Sequence, residues 1–308
     1  MPKKIIFIVG PTGVGKTEVS LLLAKKLKAE IISCDSMQVY KEIHVVSNKP
    51  SERILKGIPY HLINVVSVIK EFDVAHFRRK VVAAISKIHK ANKIPIIVGG
   101  SGLYMQVLLD GIFKGPKKNE RLRQKLEEEG QQKGNQVLYE RLQQLDPHAA
   151  GKIHSHDRKR IIRALEVCLT SKKPIFELQK NRRGLWGKFD IKIFALTRDR
   201  QQLYDLINQR VEVMLDEGLI DEIRKLLSLK LSSTAKSILG LKEMGGFLKG
   251  EYDLDRARYL MKLNTRHYAK RQLTWFRKDK RIQWITIGKN QTTAQIVSEI
   301  LEEIKSEP

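Results

Sequence analysis

The sequence predicts an α/β fold, a parallel sheet flanked by helices, with an all-α insertion. Three observations carry that expectation: short continuous apolar runs alternate with amphipathic stretches up to about residue 113, strand-like runs vanish over 117–185, and they return near Asp190 and Arg281. Continuous rather than alternating apolarity marks strands buried on both faces, as in parallel sheets covered by helices. The core is therefore expected to be discontinuous, residues 1–116 with 186–308, and residues 117–185 to form the helical insertion.

Taken in order, "KIIFIV" (4–9), "AEIISC" (29–34), "HLINVV" (61–66) and "IPIIV" (94–98) read as the first strands. Helical patterns occupy 17–28 and 73–91, the second with Asp73 as its N-cap. After Gly115-Pro116 come the short helices "NERLRQKLEEEG", "NQVLYERLQQLD" and "HDRKRIIRALEVCLT". "DIKIFALT" from Asp190 and "RIQWITI" from Arg281 resume the sheet. Between them 199–278 is helical, ending in one long stretch from Asp255, and "TTAQIVSEILEEIK" closes the chain as an amphipathic helix. No internal repeat or Pro-rich linker interrupts this order.

The 308 residues carry 58 Lys and Arg against 34 Asp and Glu, a net charge of +24 that points to a polyanionic partner, nucleic acid before membrane. Cys34 and Cys168 both lie in apolar stretches and suggest no disulfide framework, which fits a reducing cytoplasm. The apolar run in "MPKKIIFIVG" is too short for a signal sequence, and no run approaches the ~18 apolar residues of a membrane span. With no apolar stripe left over after the core, a monomer is expected.

Gly10, Pro11, Thr12, Gly13, Val14, Gly15, Lys16 and Thr17 match G-x-x-x-x-G-K-[ST] between a strand-like run and a helical pattern. Glycines let successive N–H groups converge, the helix N-terminus adds positive potential, and Lys16 supplies a mobile charge. Thr17 is placed to put its hydroxyl on a Mg²⁺ ion bridging two phosphates. The expected core is therefore P-loop NTPase-like. Such a loop recognises a chain of phosphates, not a base.

A motor or GTPase would end a buried strand with a Mg²⁺-holding Asp. Here "IPIIV" runs instead into Gly99-Gly100-Ser101-Gly102, either a plain turn or a second close approach to ligand, with a hydroxyl at Ser101. Asp35, ending "EIISCD", falls on the same carboxyl rim as the phosphate loop. It is open to three roles: indirect Mg²⁺ ligand, general base, or cap of "SMQVY". Gln38 offers an amide that pairs bidentately with adenine.

In "RARYLMKLNTRHYAKRQLTWFRKDKR", Arg258, Lys262, Arg266 and Lys270 step by four, and the near absence of acids favours phosphate contact over a solvated face. Lys159, Arg160 and Arg163 crowd a helix opened by Asp157, where some of them fit structural ion pairs. His61, His76, His89, His148, His154, His156 and His267 show no metal spacing with the cysteines.

Assembled, these residues resemble the bacterial tRNA dimethylallyltransferases over essentially the whole chain. The blocks that carry the resemblance are "GPTGVGKT" at 10, "DSMQVY" at 35, "PYHLINV" at 59, "PIIVGGSGLY" at 95, "DRKRIIRALEV" at 157, "RVEVMLDEGLIDE" at 210, "SILGLKEM" at 237 and "TRHYAKRQLTWFR" at 265. Ser101 replaces the family's usual Thr, and Leu241 stands where an aromatic is common.

The resemblance implies transfer of the five-carbon group of dimethylallyl diphosphate to N6 of adenosine 37 beside the anticodon, the base being extruded into a pocket. On it Asp35 is the general base, Lys16 and Mg²⁺ at Thr17 stabilise the departing diphosphate, and Ser101 positions the reacting groups. The stretch Asp35, Ser36, Met37 and Gln38 meets the flipped adenine. Further tRNA contacts are implied at Arg123, at Lys159, Arg160, Ile161, Ile162 and Arg163, at Leu241, Lys242, Glu243, Met244, Gly245 and Gly246, and at Lys270, Arg271 and Arg277. The insertion would clasp the anticodon stem. The competing expectations are a P-loop nucleotide or RNA kinase, which consumes ATP, and an RNA-binding module without catalysis.

Overall fold

A computed structural model describes residues 3–113 and 115–305 of the chain. Two compact units emerge, one made of residues 1–107 and 186–308, the other of 108–185. In the first, β1 (Lys4–Val9), β2 (Glu30–Ser33), β3 (Tyr60–His61), β4 (Pro95–Gly99), β5 (Asp190–Arg198) and β6 (Gln283–Ile287) form one parallel sheet in the order β3-β2-β4-β1-β5-β6. Its helices before the break are α1 (Lys16–Leu27), α2 (Glu52–Gly57), α3 (Val74–Lys90) and α4 (Gly102–Asp110), the last running into the second unit.

The second unit holds α5 (Glu120–Lys133), α6 (Asn135–Leu145), α7 (Pro147–Ala150), α8 (Arg158–Ser171) and α9 (Ile175–Lys180). The sheet unit then resumes with α10 (Arg200–Asp216), α11 (Leu219–Leu227), α12 (Leu241–Leu248), α13 (Leu254–Phe276) and α14 (Thr293–Lys305).

Residues Ile5 to Val9 of β1 are all fully buried, as unbroken apolarity requires of a central strand covered on both faces. On one of those faces Ile6 and Ile8 share a cluster with Leu23 of α1, Leu203 of α10 and Ile300 of α14. Asp73 caps α3 as expected, its carboxylate accepting from the N–H groups of Ala75 and His76. Because the chain crosses from β1 to β2 over the place later filled by β4, and returns to the other side of β1 as β5, the carboxyl end of β1 is a switch point.

Two expectations are corrected. "HLINVV" contributes only His61 to the sheet: Leu62 (φ 64°) and Asn64 (φ 56°) take left-handed backbone that ends the strand, leaving Val66 a single bridge to Tyr40. The helical unit begins at Leu108, not residue 117. There the outgoing and returning chains lie side by side, Leu185 N–H donating to the Leu108 carbonyl at 2.9 Å. A Cβ on Gly184 would fall 1.9 Å from the Leu109 carbonyl oxygen, so only glycine permits that approach.

Candidate active site

The phosphate loop is shaped by glycines with positive φ, Gly10 at 141° and Gly15 at 102°, and a Cβ on Gly10 would meet the Leu196 carbonyl oxygen at 2.6 Å. Lys16, the first residue of α1, folds back to donate to the Pro11 carbonyl at 2.7 Å. Two arginines brace the loop from elements distant in sequence. Arg198, ending β5, donates from Nε to the Val14 carbonyl at 3.2 Å, and Arg210 of α10 donates to Thr12 Oγ1 at 3.1 Å.

All three cations line a cavity of about 470 Å³ together with Asp35, Gln38 and Thr17. Burial, helped by Arg210 and opposed by Asp35 and Glu18, pushes the Lys16 ammonium down to about 8. Burial also lowers Arg210, against the opposing pull of Asp35 and Glu18. Three crowded cations in one cavity give it a positive potential that favours an anion. Sequence pattern by itself assigns no role to Arg198 or Arg210. The available indications were that Arg198 ends a strand on the ligand-binding rim and that Arg210 is the only base in the otherwise acidic and apolar "RVEVMLDEG".

Of the roles open to Asp35, one is visible. Its Oδ1 accepts from the N–H groups of Met37 (2.8 Å) and Gln38 (3.3 Å), capping a turn and not a helix. That leaves Oδ2 outside both bonds. Ser101 stands just ahead of α4, and its Oγ accepts from the Ser36 N–H at 3.3 Å, so the turns after β2 and β4 are joined. The Gln38 amide is held on both sides, Oε1 accepting from Ser33 Oγ at 2.9 Å and Nε2 donating to the carbonyls of Ser47 and Asn48 at 3.4 Å each. Oε1 keeps one lone pair, and Nε2 keeps one N–H for a ligand when the two adjacent carbonyls share the other.

Gln272 of α13, unremarked in the sequence, links the two glycine-rich turns. Its Oε1 accepts from the Thr12 N–H and its Nε2 donates to the Gly100 carbonyl, each at 2.9 Å. Asp35 also faces a second cavity, of about 280 Å³, and Ser101 a third, of about 560 Å³, while Tyr268 lines all three. The three cavities thus adjoin at Tyr268, with Asp35 on the first two and Ser101 on the third.

Several expected RNA contacts have other duties. Ile161 and Ile162 are buried in the core of the helical unit with Leu126, Leu138 and Leu142. Arg123 makes a two-pronged pair with Glu166, which is fully buried, and Arg163 binds the same carboxylate. Lys159 and Arg160 are exposed. From Leu241 to Gly246 only Lys242 is exposed, and Glu243 is turned inward, accepting from Gly240 N–H and Asn264 Nδ2. The stripe on α13 is largely a seam with α10: Arg258 and Lys262 pair with Glu212, and Arg266 donates to Asn208 at 3.1 Å. The exposed bases of that helix and its end are Arg256, Lys270, Arg271, Arg277, Lys278 and Lys280, which include the expected Lys270, Arg271 and Arg277.

Thr17 and Asp35 offer hard oxygen donors, the kind Mg²⁺ takes, and among the described residues no group of three His, Cys, Asp or Glu is placed to hold a metal. That donor set fits a Mg²⁺ coordinated mainly by phosphate oxygens and water. Among the described residues no helix is long and apolar enough to cross a membrane.

The model of a family described as IPP transferase matches residues 38–279. The chain belongs to this family. Among IPP transferase relatives, a tRNA dimethylallyltransferase of Alkaliphilus oremlandii is 42% identical over 99% of this chain and 98% of its own length, and one of Halothermothrix orenii is 43% identical over 92% and 88%. A crystal structure of the Bacillus halodurans tRNA isopentenylpyrophosphate transferase is 35% identical and covers 98% of this chain and 97% of its own, with a TM-score of 0.71. A eukaryotic dimethylallyltransferase described as acting on tRNA reaches a TM-score of 0.84 at 30% identity, covering 99% of this chain and 80% of its own. The parallel sheet flanked by helices is thus the fold of IPP transferases of solved structure.

Proposed function

We infer that this IPP transferase is a tRNA dimethylallyltransferase, moving the dimethylallyl group of dimethylallyl diphosphate to N6 of adenosine 37 beside the anticodon and releasing diphosphate. The observation that carries this reading is a carboxylate, Asp35, in one cavity with three cations on a phosphate loop. A base and a leaving-group site in one space suit alkyl transfer from a diphosphate ester.

Lys16, Arg198, Arg210 and the loop N–H groups bind the diphosphate, and their field strengthens as the C–O bond breaks and its electron pair passes to the diphosphate. The N6 lone pair forms the new bond to that carbon. Asp35 takes the N6 proton on the oxygen not engaged by its turn. Ser101 orders the acceptor side, and Gln38 reads the adenine through N6–H and N7. When bound at Thr17, Mg²⁺ supplies further charge to the diphosphate.

Of the bases expected to meet RNA, Lys159, Arg160, Lys242, Lys270, Arg271 and Arg277 are exposed and offered to its phosphates. We extend the proposal to a monomer working in the cytoplasm.

The test incubates the protein with Mg²⁺, unmodified tRNA and either labelled dimethylallyl diphosphate or γ-labelled ATP. Label reaching tRNA from the allyl donor supports the reading. Label from ATP would establish an RNA kinase, and label from neither donor an RNA-binding module.

A further inference from the structure

Glu222, in the first turn of α11, receives three successive backbone N–H groups of a distant loop. Oε2 accepts from His44 at 2.8 Å and Val45 at 2.9 Å, and Oε1 from Val46 at 2.9 Å. Charge-assisted bonds of this length from three consecutive residues fix a loop that has no sheet partner of its own. The next two residues are Ser47 and Asn48, whose carbonyls accept from Gln38 Nε2 and which line the cavity of the phosphate loop. Asn48 has left-handed backbone, φ 48°, which turns the chain at that point.

Packing supports the same placement from another side. Gly240, φ 93°, closes on Val46, where a Cβ would stand 3.1 Å from Val46 Cγ2. Beyond the loop, Lys49 Nζ donates to Asn64 Oδ1 at 2.6 Å and also bonds the Tyr40 carbonyl. The loop is thus anchored at its start by Glu222 and at its end by Lys49, with the two carbonyls that touch Gln38 between them.

We propose that Glu222 is a positioning residue for base recognition, holding residues 44–48 so that the Ser47 and Asn48 carbonyls share one Gln38 N–H and leave the other N–H and one oxygen lone pair turned toward the acceptor base. This rests on the reading of Gln38 as the adenine reader. The carboxylate is required because all three partners are donors: an amide at 222 presents its own N–H₂ to one of them, and an aspartate is one methylene short.

The experiment compares kcat/KM for anticodon stem-loop RNA carrying adenosine or 7-deazaadenosine at the acceptor position, the analogue lacking the N7 acceptor. Wild type, Glu222→Gln, Glu222→Asp, Gln38→Ala and the Glu222→Gln, Gln38→Ala double variant are measured, with thermal midpoints and pyrophosphate binding alongside. Wild type is expected to prefer adenosine about 10-fold, one bidentate partner's worth. Gln38→Ala should bring that preference near unity, Glu222→Gln should reduce it to about 3-fold or less, Glu222→Asp should fall between, and the double variant should match Gln38→Ala.

If Glu222→Gln is too unstable to assay, Glu222→Asp carries the comparison. A Glu222 variant that keeps the full preference while Gln38→Ala loses it overturns the proposal and leaves the Gln38 reading standing. A wild type indifferent to N7 overturns both. Should no allyl transfer occur, the function reading has failed separately, and the same ratios are taken from RNA dissociation constants.

Discussion

Replacing Gln272 with Leu tests whether the two glycine-rich turns are one preorganised site. The substitution conserves volume but removes an acceptor from the Thr12 N–H and a donor from the Gly100 carbonyl. Gly100 is buried, so its carbonyl keeps a desolvation cost of about 2 kcal/mol; Thr12 is partly open to water, and its N–H loses about 1 kcal/mol. The sum, about 3 kcal/mol, corresponds to a fall of roughly 6–12 °C in thermal midpoint for a unit of this size. Because Thr12 belongs to the phosphate loop, pyrophosphate affinity should fall as well, by about tenfold if a loop N–H loses its orientation. Calorimetry and pyrophosphate titration check both numbers, with Thr274→Ala as an exposed control on the same helix. A Gln272→Leu protein with an unchanged midpoint and unchanged pyrophosphate affinity would refute the reasoning.

Asp35→Asn keeps the oxygen that caps its turn while losing the base, so single-turnover transfer should slow by ~10²-fold or more with RNA affinity near wild type; lost RNA binding at an unchanged rate would make Asp35 structural. Lys16 titrates at about 8 when free, and a bound diphosphate raises it, so below that pH binding is not linked to this proton and above it binding takes one up. Pyrophosphate affinity should then decline as pH rises past 8 in wild type, over and above the ligand's own titration, and that extra decline should vanish in Lys16→Arg. On α13, Lys270→Ala should flatten the slope of log K for RNA against log salt by about one unit. Lys262→Ala, whose ammonium already pairs with Glu212, should leave that slope unchanged, and equal slopes for the two variants would refute the division of the stripe.

What was legible in the sequence was whatever depends on local pattern. The unbroken apolar runs gave all strands but one, and the exception turned on left-handed backbone at Leu62 and Asn64, which hydropathy does not register. The phosphate loop and Asp35 could be placed on one rim because the sheet is parallel and both follow strands. Partners brought from afar could not. Arg210, Gln272 and Glu222 act 198, 260 and about 177 residues from the groups they touch; Arg210 has only its acidic and apolar surroundings to mark it, and nothing local distinguishes the other two from surface side chains. The pairing of the basic stripe is hidden for the same reason: Arg258 and Lys262 share Glu212 of α10, and only Arg258 has a second acid on α13 itself, Asp255.

Gly99, which ends β4, decides how the rim beside the phosphate loop is closed. At Gly99 a Cβ would fall 2.1 Å from the Cys34 carbonyl oxygen, so any side chain there would force the ends of β2 and β4 apart. Asp35 and Ser36 follow Cys34 directly, and Ser101 follows Gly99 by two residues; the close approach is what lets Ser101 Oγ accept from Ser36 N–H. An aspartate at the end of β4, where a motor places its Mg²⁺ carboxylate, would occupy that contact. The rim is instead closed by backbone against backbone, and its carboxylate comes from β2, on the far side of β4 from the phosphate loop after β1. On the function proposed, that carboxylate takes the proton of an amine attacking the carbon that the diphosphate leaves.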